Sequence, residues 1–311
     1  MPVLRSPKWC PPSDDEGRLM TTTTATQNFI ADAVAFCEGA RSLPVRGVRA
    51  GRQFALHDWV ADEVPVALEY NGISHAVMLA TPLDLEDFAL GFSLSEGILQ
   101  APHELYAVDE VPSELGITLK LHVASGAFAR LKERRRSMAG RTGCGLCGTE
   151  SLSHVARDLP VVVDGAPLSR QAISRAMSQF CALQTLQQAT GAVHAAAWCS
   201  AEGEVMWLRE DVGRHDALDK LVGALAAQDV DASTGFIAVT SRASFEMVQK
   251  TAMAGVPLLA AVSAPTSFAV ATAQRARMTL VGFARQQDLV VYCDSGRLSL
   301  DAAAKEVPHA H

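Results

Sequence analysis

The chain has 311 residues, 49% of them apolar and 20% charged, with a formal net charge of −7. That length suffices for two domains with packed cores, and the acidic balance excludes the basic excess with which a nucleic-acid binder displaces counterions. No run is apolar for long enough to span a membrane, and Asp14, Asp15 and Glu16 occupy the stretch where a signal peptide needs its apolar core.

Seven thinly spread cysteines read as reduced thiols of a cytoplasmic protein rather than as a disulfide framework. The Pro, Ser and Thr content of the N-terminus predicts a disordered tail, and "NFIADAVAFCEG" a short helix; together they take up residues 1–44. In "EVPVALEYNGISHAVMLATP", Val64, Val66, Leu68 and Tyr70 alternate, Asn71-Gly72 is a type I′ turn signal, and Ile73 to Leu79 returns as a second strand. The next helix is expected to start with Thr81 as N-cap and Pro82 at its first position, burying Leu85, Phe88, Ala89 and Phe92. Residues 105–125 read as further strands, so residues 45–138 form a small α+β domain on an antiparallel sheet.

From Met138 the chain turns glycine-rich, and "RTGCGLCGTES" carries Cys144 and Cys147 on what should be a mobile loop. Beyond it the rhythm changes. "VHAAAWC" and "EVMWLRE" read as a hairpin turning at Glu202-Gly203, followed by a helix from about His215 to Leu225. "GFIAVT", "VPLLAAV" and "MTLVGF" are short, almost wholly apolar runs, as strands buried on both faces require. Helical periodicity in "SFEMVQKTAMAG" and "SFAVATAQRAR" separates them, giving a three-layer α/β domain over 139–300 and a disordered tail over 301–311.

Open α/β sheets bind ligands beyond the carboxyl ends of their strands. Four polar turns are expected there: "EDVGRHD" (210–216) with Arg214 and His215, "TSRAS" (240–244), "SAPTS" (263–267) and "FARQQD" (283–288). Amides, hydroxyls and arginines converging at such an edge suit an anion bearing several phosphates. Ordinary helix capping by Ser241, Ser263 and Thr266 explains any one turn equally well. His194, in "TGAVHAAAWC", reads either as a core histidine or as part of a site.

For Cys144 and Cys147 the residues leave several readings open. A zinc ribbon needs a second C-x-x-C, which is missing. A zinc deaminase needs H-x-E ahead of P-C-x-x-C; here the pair precedes the histidine, Gly143 stands for the proline and Ala196 for the glutamate. A thioredoxin-like redox pair belongs at a strand-to-helix junction rather than in a glycine-rich loop. Transient oxidation and group transfer by a mobile arm both remain.

"CGLCG", "TGAVHAAAW", "EDVGRHDALDKLVG", "SRASFEMVQKTAMAGVPLLAAVSAPTS" and "LVGFAR", in this order, resemble the formate dehydrogenase accessory sulfurtransferase (FdhD/NarQ) family, as does "EVPVALEYNGISHAVMLATPLDLEDFALGFSLSEGI". The resemblance spans about residues 45–298. It implies a C-terminal domain similar to cytidine deaminases without their zinc, and hence no resident metal. It implies a cytoplasmic, homodimeric sulfur carrier that takes persulfide sulfur from a cysteine desulfurase. The sulfur goes to the molybdenum (or tungsten) bis-guanine-dinucleotide cofactor, bound as a substrate and destined for formate dehydrogenase. Cys144 then matches the persulfide-bearing residue and Cys147 its partner thiol. The cofactor-contacting turn matches Phe283, Ala284, Arg285, Gln286, Gln287 and Asp288. "FARQQD" and the "RTG" before Cys144 depart from the common versions of these segments. The alternative reading is a chaperone that holds the guanine dinucleotide without moving sulfur.

Overall fold

The computed structural model describes residues 37–139, 159–162 and 165–300. The expected helix at residues 28–39 falls mostly outside them, as do the tails and the loop with Cys144 and Cys147. The described residues begin with a ribbon of two antiparallel strands, β1 (Ala40–Arg49) and β2 (Arg52–Ala61). Its first residues lie inside the stretch read as tail and helix. The ribbon stays open to solvent along much of its length, so burial never imposed a clear polar–apolar alternation on its sequence.

The Asn71-Gly72 hairpin forms as the residues dictate. β3 (Val64–Tyr70) and β4 (Ile73–Ala80) pair antiparallel, and both turn residues take positive φ, 44° and 83°. Asn71 also ties the turn to the next strand, exchanging two 2.9 Å hydrogen bonds with the backbone of Val123. β5 (Leu105–Ser113) and β6 (Gly116–Val123) complete a sheet of order β4-β3-β6-β5, in which β3 and β6 run parallel. Val66, Leu68 and Tyr70 with Leu119, Leu121 and Val123 turn their side chains to one face. There they pack on Phe88, Ala89 and Phe92 of α1 (Leu85–Ser95) and on Ala127 and Leu131 of α2 (Ser125–Ala139).

The expected helix start is corrected. α1 begins at Leu85, and Asp84 precedes it in a left-handed conformation with no side-chain cap. Thr81 is diverted elsewhere: its amide donates to Asp211, its hydroxyl accepts from the Val212 amide, and its carbonyl accepts from Lys220.

The larger sheet has order β13-β12-β11-β10-β8-β9. It comprises β8 (His194–Ser200), β9 (Val205–Asp211), β10 (Gly235–Val239), β11 (Leu258–Ala261), β12 (Thr279–Arg285) and β13 (Asp288–Cys293). β10, β11 and β12 are parallel, while β8, β9 and β13 join by antiparallel pairing. Two apolar cores flank it. On one face Ala196, Trp198, Ile237, Val239, Leu259 and Leu280 meet α5 (Arg214–Ala227), α6 (Phe245–Met253) and α7 (Ser267–Arg275). On the other, Ala195, Ala197, Phe236, Ala238 and Ala260 meet α3 (Arg170–Leu183). Helices thus cover both faces of this mixed sheet. A short helix α4 (Thr185–Thr190) packs against the ribbon through Leu186, and a two-residue pair, β7 (Leu168–Ser169) with β14 (Leu298–Ser299), closes the fold.

The two sheets are joined through α1 and α5, which cross at backbone distance. A Cβ at Gly91 would lie 1.7 Å from the Asp219 carbonyl, and one at Gly223 1.9 Å from the Asp87 carbonyl. Only glycine permits this approach.

Candidate functional site

β9 runs parallel to β10 because each pairs antiparallel with β8. The carboxyl ends of β9, β10, β11 and β12, and the start of β8 at His194, therefore share one edge. All four expected turns emerge there and are stitched together. Ser263 donates its amide to the Ser241 carbonyl, and Thr266 to that of Ala243. Phe283 donates its amide to the Ser263 carbonyl, and Arg285 donates Nε to the Val262 carbonyl at 3.1 Å. His215 meets Glu246 at 3.0 Å, linking the first turn to α6.

Capping accounts for only part of this edge. Thr266 does cap α7, accepting from the Ala269 amide. Ser241 instead donates to the Arg242 carbonyl, and Ser263 caps no helix.

The 283–288 turn is shaped unusually. Phe283 and Gln286 have φ of 51° and 49°, a region costly for residues with a Cβ, and the β12–β13 register slips between Gly282 and Arg285. Such bulges re-aim side chains beside sites. Phe283 is thereby 41% exposed while Ala284 is buried. Arg285, Gln286, Gln287 and Asp288 are exposed, with Arg285 and Asp288 opposite each other in the ladder. Gln287 is held from behind, its carbonyl accepting from Arg170.

Arg214 opens α5, and its Nε is buried without a hydrogen-bond partner. His194 is half-buried, with Nδ1 3.4 Å from the Thr240 hydroxyl. Burial, and then the nearby charges of Arg214 and His215, hold its pKa below the usual histidine value.

Beneath the edge lies a buried charged cluster. Lys220 reaches Asp211 at 2.6 Å, both side chains wholly buried, and Asp211 also accepts from the Gly213 amide ahead of Arg214. Lys250 contacts both Asp219 oxygens at 2.9 Å and Ser95 at 3.0 Å, while Ser95 donates to Asp219. Burial opposes the Lys250 charge, but Asp219 and Glu96 outweigh it and raise its pKa. Asp216 has no such partner. Burial, reinforced by Asp211 and Asp219, lifts it to about 8, and its Oδ1 makes no hydrogen bond. Sequence reasoning passed over this cluster. Its signal was there: Asp216, Asp219, Lys220 and Gly223 occupy the i, i+3, i+4, i+7 row that an amphipathic helix fills with apolar residues.

Cys144 and Cys147 lie outside the described residues, so the edge and the thiol pair are not seen together. Among the described cysteines Cys37, Cys199 and Cys293 are free. No three His, Cys, Asp or Glu side chains among the described residues gather in a metal-ligating group.

Fold and edge define an α/β protein with polar turns at the carboxyl ends of its strands. Comparison with known proteins gives the particular family. The chain belongs to the FdhD/NarQ family, whose model matches residues 61–299. A protein of Variovorax paradoxus is 69% identical over 260 residues, covering 84% of this chain and 94% of its own. One of Bordetella petrii is 54% identical over 264 residues, covering 85% and 95%. Both are named sulfur carrier protein FdhD. A crystal structure from Desulfotalea psychrophila, assigned as a formate dehydrogenase accessory protein, shares the fold. It superposes with a TM-score of 0.65 at 22% identity, over 84% of this chain and 99% of that one. No helix among the described residues is long and apolar enough to cross a membrane.

Proposed function

We propose that the protein is a cytoplasmic, homodimeric sulfur carrier. It accepts persulfide sulfur from a cysteine desulfurase on Cys144 and delivers it to the molybdenum (or tungsten) bis-guanine-dinucleotide cofactor destined for formate dehydrogenase. The observation that carries this reading is family membership with relatives named as sulfur carriers, combined with four turns converging on one sheet edge. The layered sheet supports the implied kinship with cytidine deaminases, and the glutamate their chemistry needs is replaced by the buried Ala196.

The chemistry balances. The Cys144 thiolate attacks the terminal sulfur of the donor persulfide, and the donor cysteine leaves as a thiolate. The new terminal sulfur is more acidic than a thiol, which favours its anion near neutral pH. Release follows when the Cys147 thiolate attacks Sγ of Cys144. The S–S bond to the terminal sulfur breaks, that sulfur departs as sulfide, and the two cysteines become a disulfide. A thiol reductant then resets the pair.

The cofactor is cargo. Arg214 and Arg285 supply charge for its phosphates, His215 offers a ring nitrogen, Phe283 presents an exposed ring, and Gln286, Gln287 and Asp288 offer polar groups at the rim. Intact-mass spectrometry after incubation with a desulfurase and cysteine tests the reading. It should show a gain of one sulfur, removable by dithiothreitol, on the peptide containing Cys144 and absent from Cys144→Ser. A Cys144→Ser variant that supports full formate dehydrogenase activity in cells would overturn it.

A further inference from the structure

His194 starts β8 opposite Asp211 in the β8–β9 ladder. It has the strand parity of Ala196 and Trp198, which pack under α5 and α6, so its ring lies on the side from which Arg214 and His215 emerge. The carboxylates around it are already engaged. Asp211, across the ladder, holds Lys220 and the Gly213 amide. Glu246, from α6, holds His215. Asp216, from α5, has its pKa raised to about 8 by burial, then by Asp211 and Asp219, so below that pH it is mostly the neutral acid. Arg242, in the turn after β10, is exposed and adds further positive charge. The field at this strand end is therefore cationic, and Arg214 Nε has an unused donor within it.

We propose that His194 is part of a diphosphate site with Arg214 and His215, and that it takes up a proton when the diphosphate binds. This rests on the reading of the edge as the place where the cofactor's phosphates sit. In the free protein, burial first and then the charges of Arg214 and His215 hold the imidazole's pKa below the usual histidine value. A diphosphate reverses the local field and favours the imidazolium, whose N–H groups then face an anion. The proton comes from solvent onto a ring nitrogen, and no other bond changes. Linkage makes the effect reciprocal: a ligand that raises the proton affinity of His194 binds more tightly where His194 is protonated. Affinity falls as pH rises through the interval between the free and bound pKa values, so release is favoured on the alkaline side.

Calorimetric titration of the full-length protein with GDP and with inorganic pyrophosphate, in buffers of different ionisation heat between pH 6 and 8, tests this. The wild type should take up as much as one proton per ligand, with Kd rising by up to about tenfold per pH unit within the sensitive interval. His194→Gln should still fold, bind more weakly than the wild type at pH 6, and lose both the uptake and the pH slope. His215→Gln should retain the uptake. Uptake with GDP alone assigns the site to a nucleotide; uptake with both probes assigns it to the diphosphate itself. GDP binding without uptake, or uptake lost in His215→Gln and kept in His194→Gln, would overturn the proposal while leaving the cofactor reading standing. Failure of both probes to bind would overturn the cofactor reading and this proposal with it.

Discussion

Gly223→Ala tests whether the α1–α5 crossing organises the molecule. The new Cβ would lie 1.9 Å from the Asp87 carbonyl oxygen, 2.6 Å from its carbon and 2.9 Å from its Cα. All three are backbone atoms, so no side chain can swing away. Reaching ordinary contact at 3.4 Å requires the helices to part by about 1.5 Å. Several bonds span that gap: Lys220 to the Thr81 carbonyl at 2.9 Å, Thr81 to Asp211 at 3.0 Å, Lys250 to Ser95 at 3.0 Å and Arg209 to Asp87 at 2.7 Å. A shift of that size takes most of them out of hydrogen-bonding range, and each stranded buried donor or acceptor costs about 1–3 kcal/mol. Partial relaxation keeps the total near 4 kcal/mol, at the upper end for overpacking. For a chain this size that corresponds to a Tm lower by roughly 8–16 °C. Gly126→Ala is the control. Its Cβ would meet only the end of Arg130 at 3.6 Å, and in helix α2 it should stabilise by about 0.4–1 kcal/mol. Scanning calorimetry of both variants decides the matter. A loss below about 1 kcal/mol in Gly223→Ala, or equal shifts in the two, would refute the reasoning.

Lys250→Met leaves Asp219 buried without its cation and should destabilise by about 3–5 kcal/mol; adding Asp219→Asn should recover much of that, as a denaturation double-mutant cycle would show. Asp216, raised to about 8 in the folded protein, contributes stability that is fully present below its unfolded value and is lost as pH rises through 8. Asp216→Asn should therefore flatten the fall in Tm between pH 5 and 9, and an unchanged slope would remove Asp216 as its cause. Burial raises the Cys199 thiol to about 12, so mass spectrometry should find it unmodified by iodoacetamide at pH 8 in native protein and alkylated once the chain is denatured.

Much of the fold was legible in local pattern. Asn71-Gly72 specified a hairpin because both residues tolerate positive φ. The apolar runs 235–240, 256–262 and 278–283 declared strands buried on both faces, and the polar turns behind them pointed to one edge of that sheet. The candidate residues of the 283–288 turn and Arg214 with His215 were found this way, and the structure shows them on one edge. What sequence could not supply is pairing between distant segments. Thr81 reads as a helix cap from its neighbours, yet it binds Asp211, Val212 and Lys220, some 130 residues away, because those groups have no water to turn to. Gly91 and Gly223 look like poor helix residues until α1 and α5 are laid across each other, where a methyl group has no room. Asp216, Asp219 and Lys220 look like a solvated face until that crossing buries them. Local sequence determines which conformations and faces a segment offers; only the tertiary contact decides which charges are desolvated, and hence which must be paired, neutralised or left for a ligand.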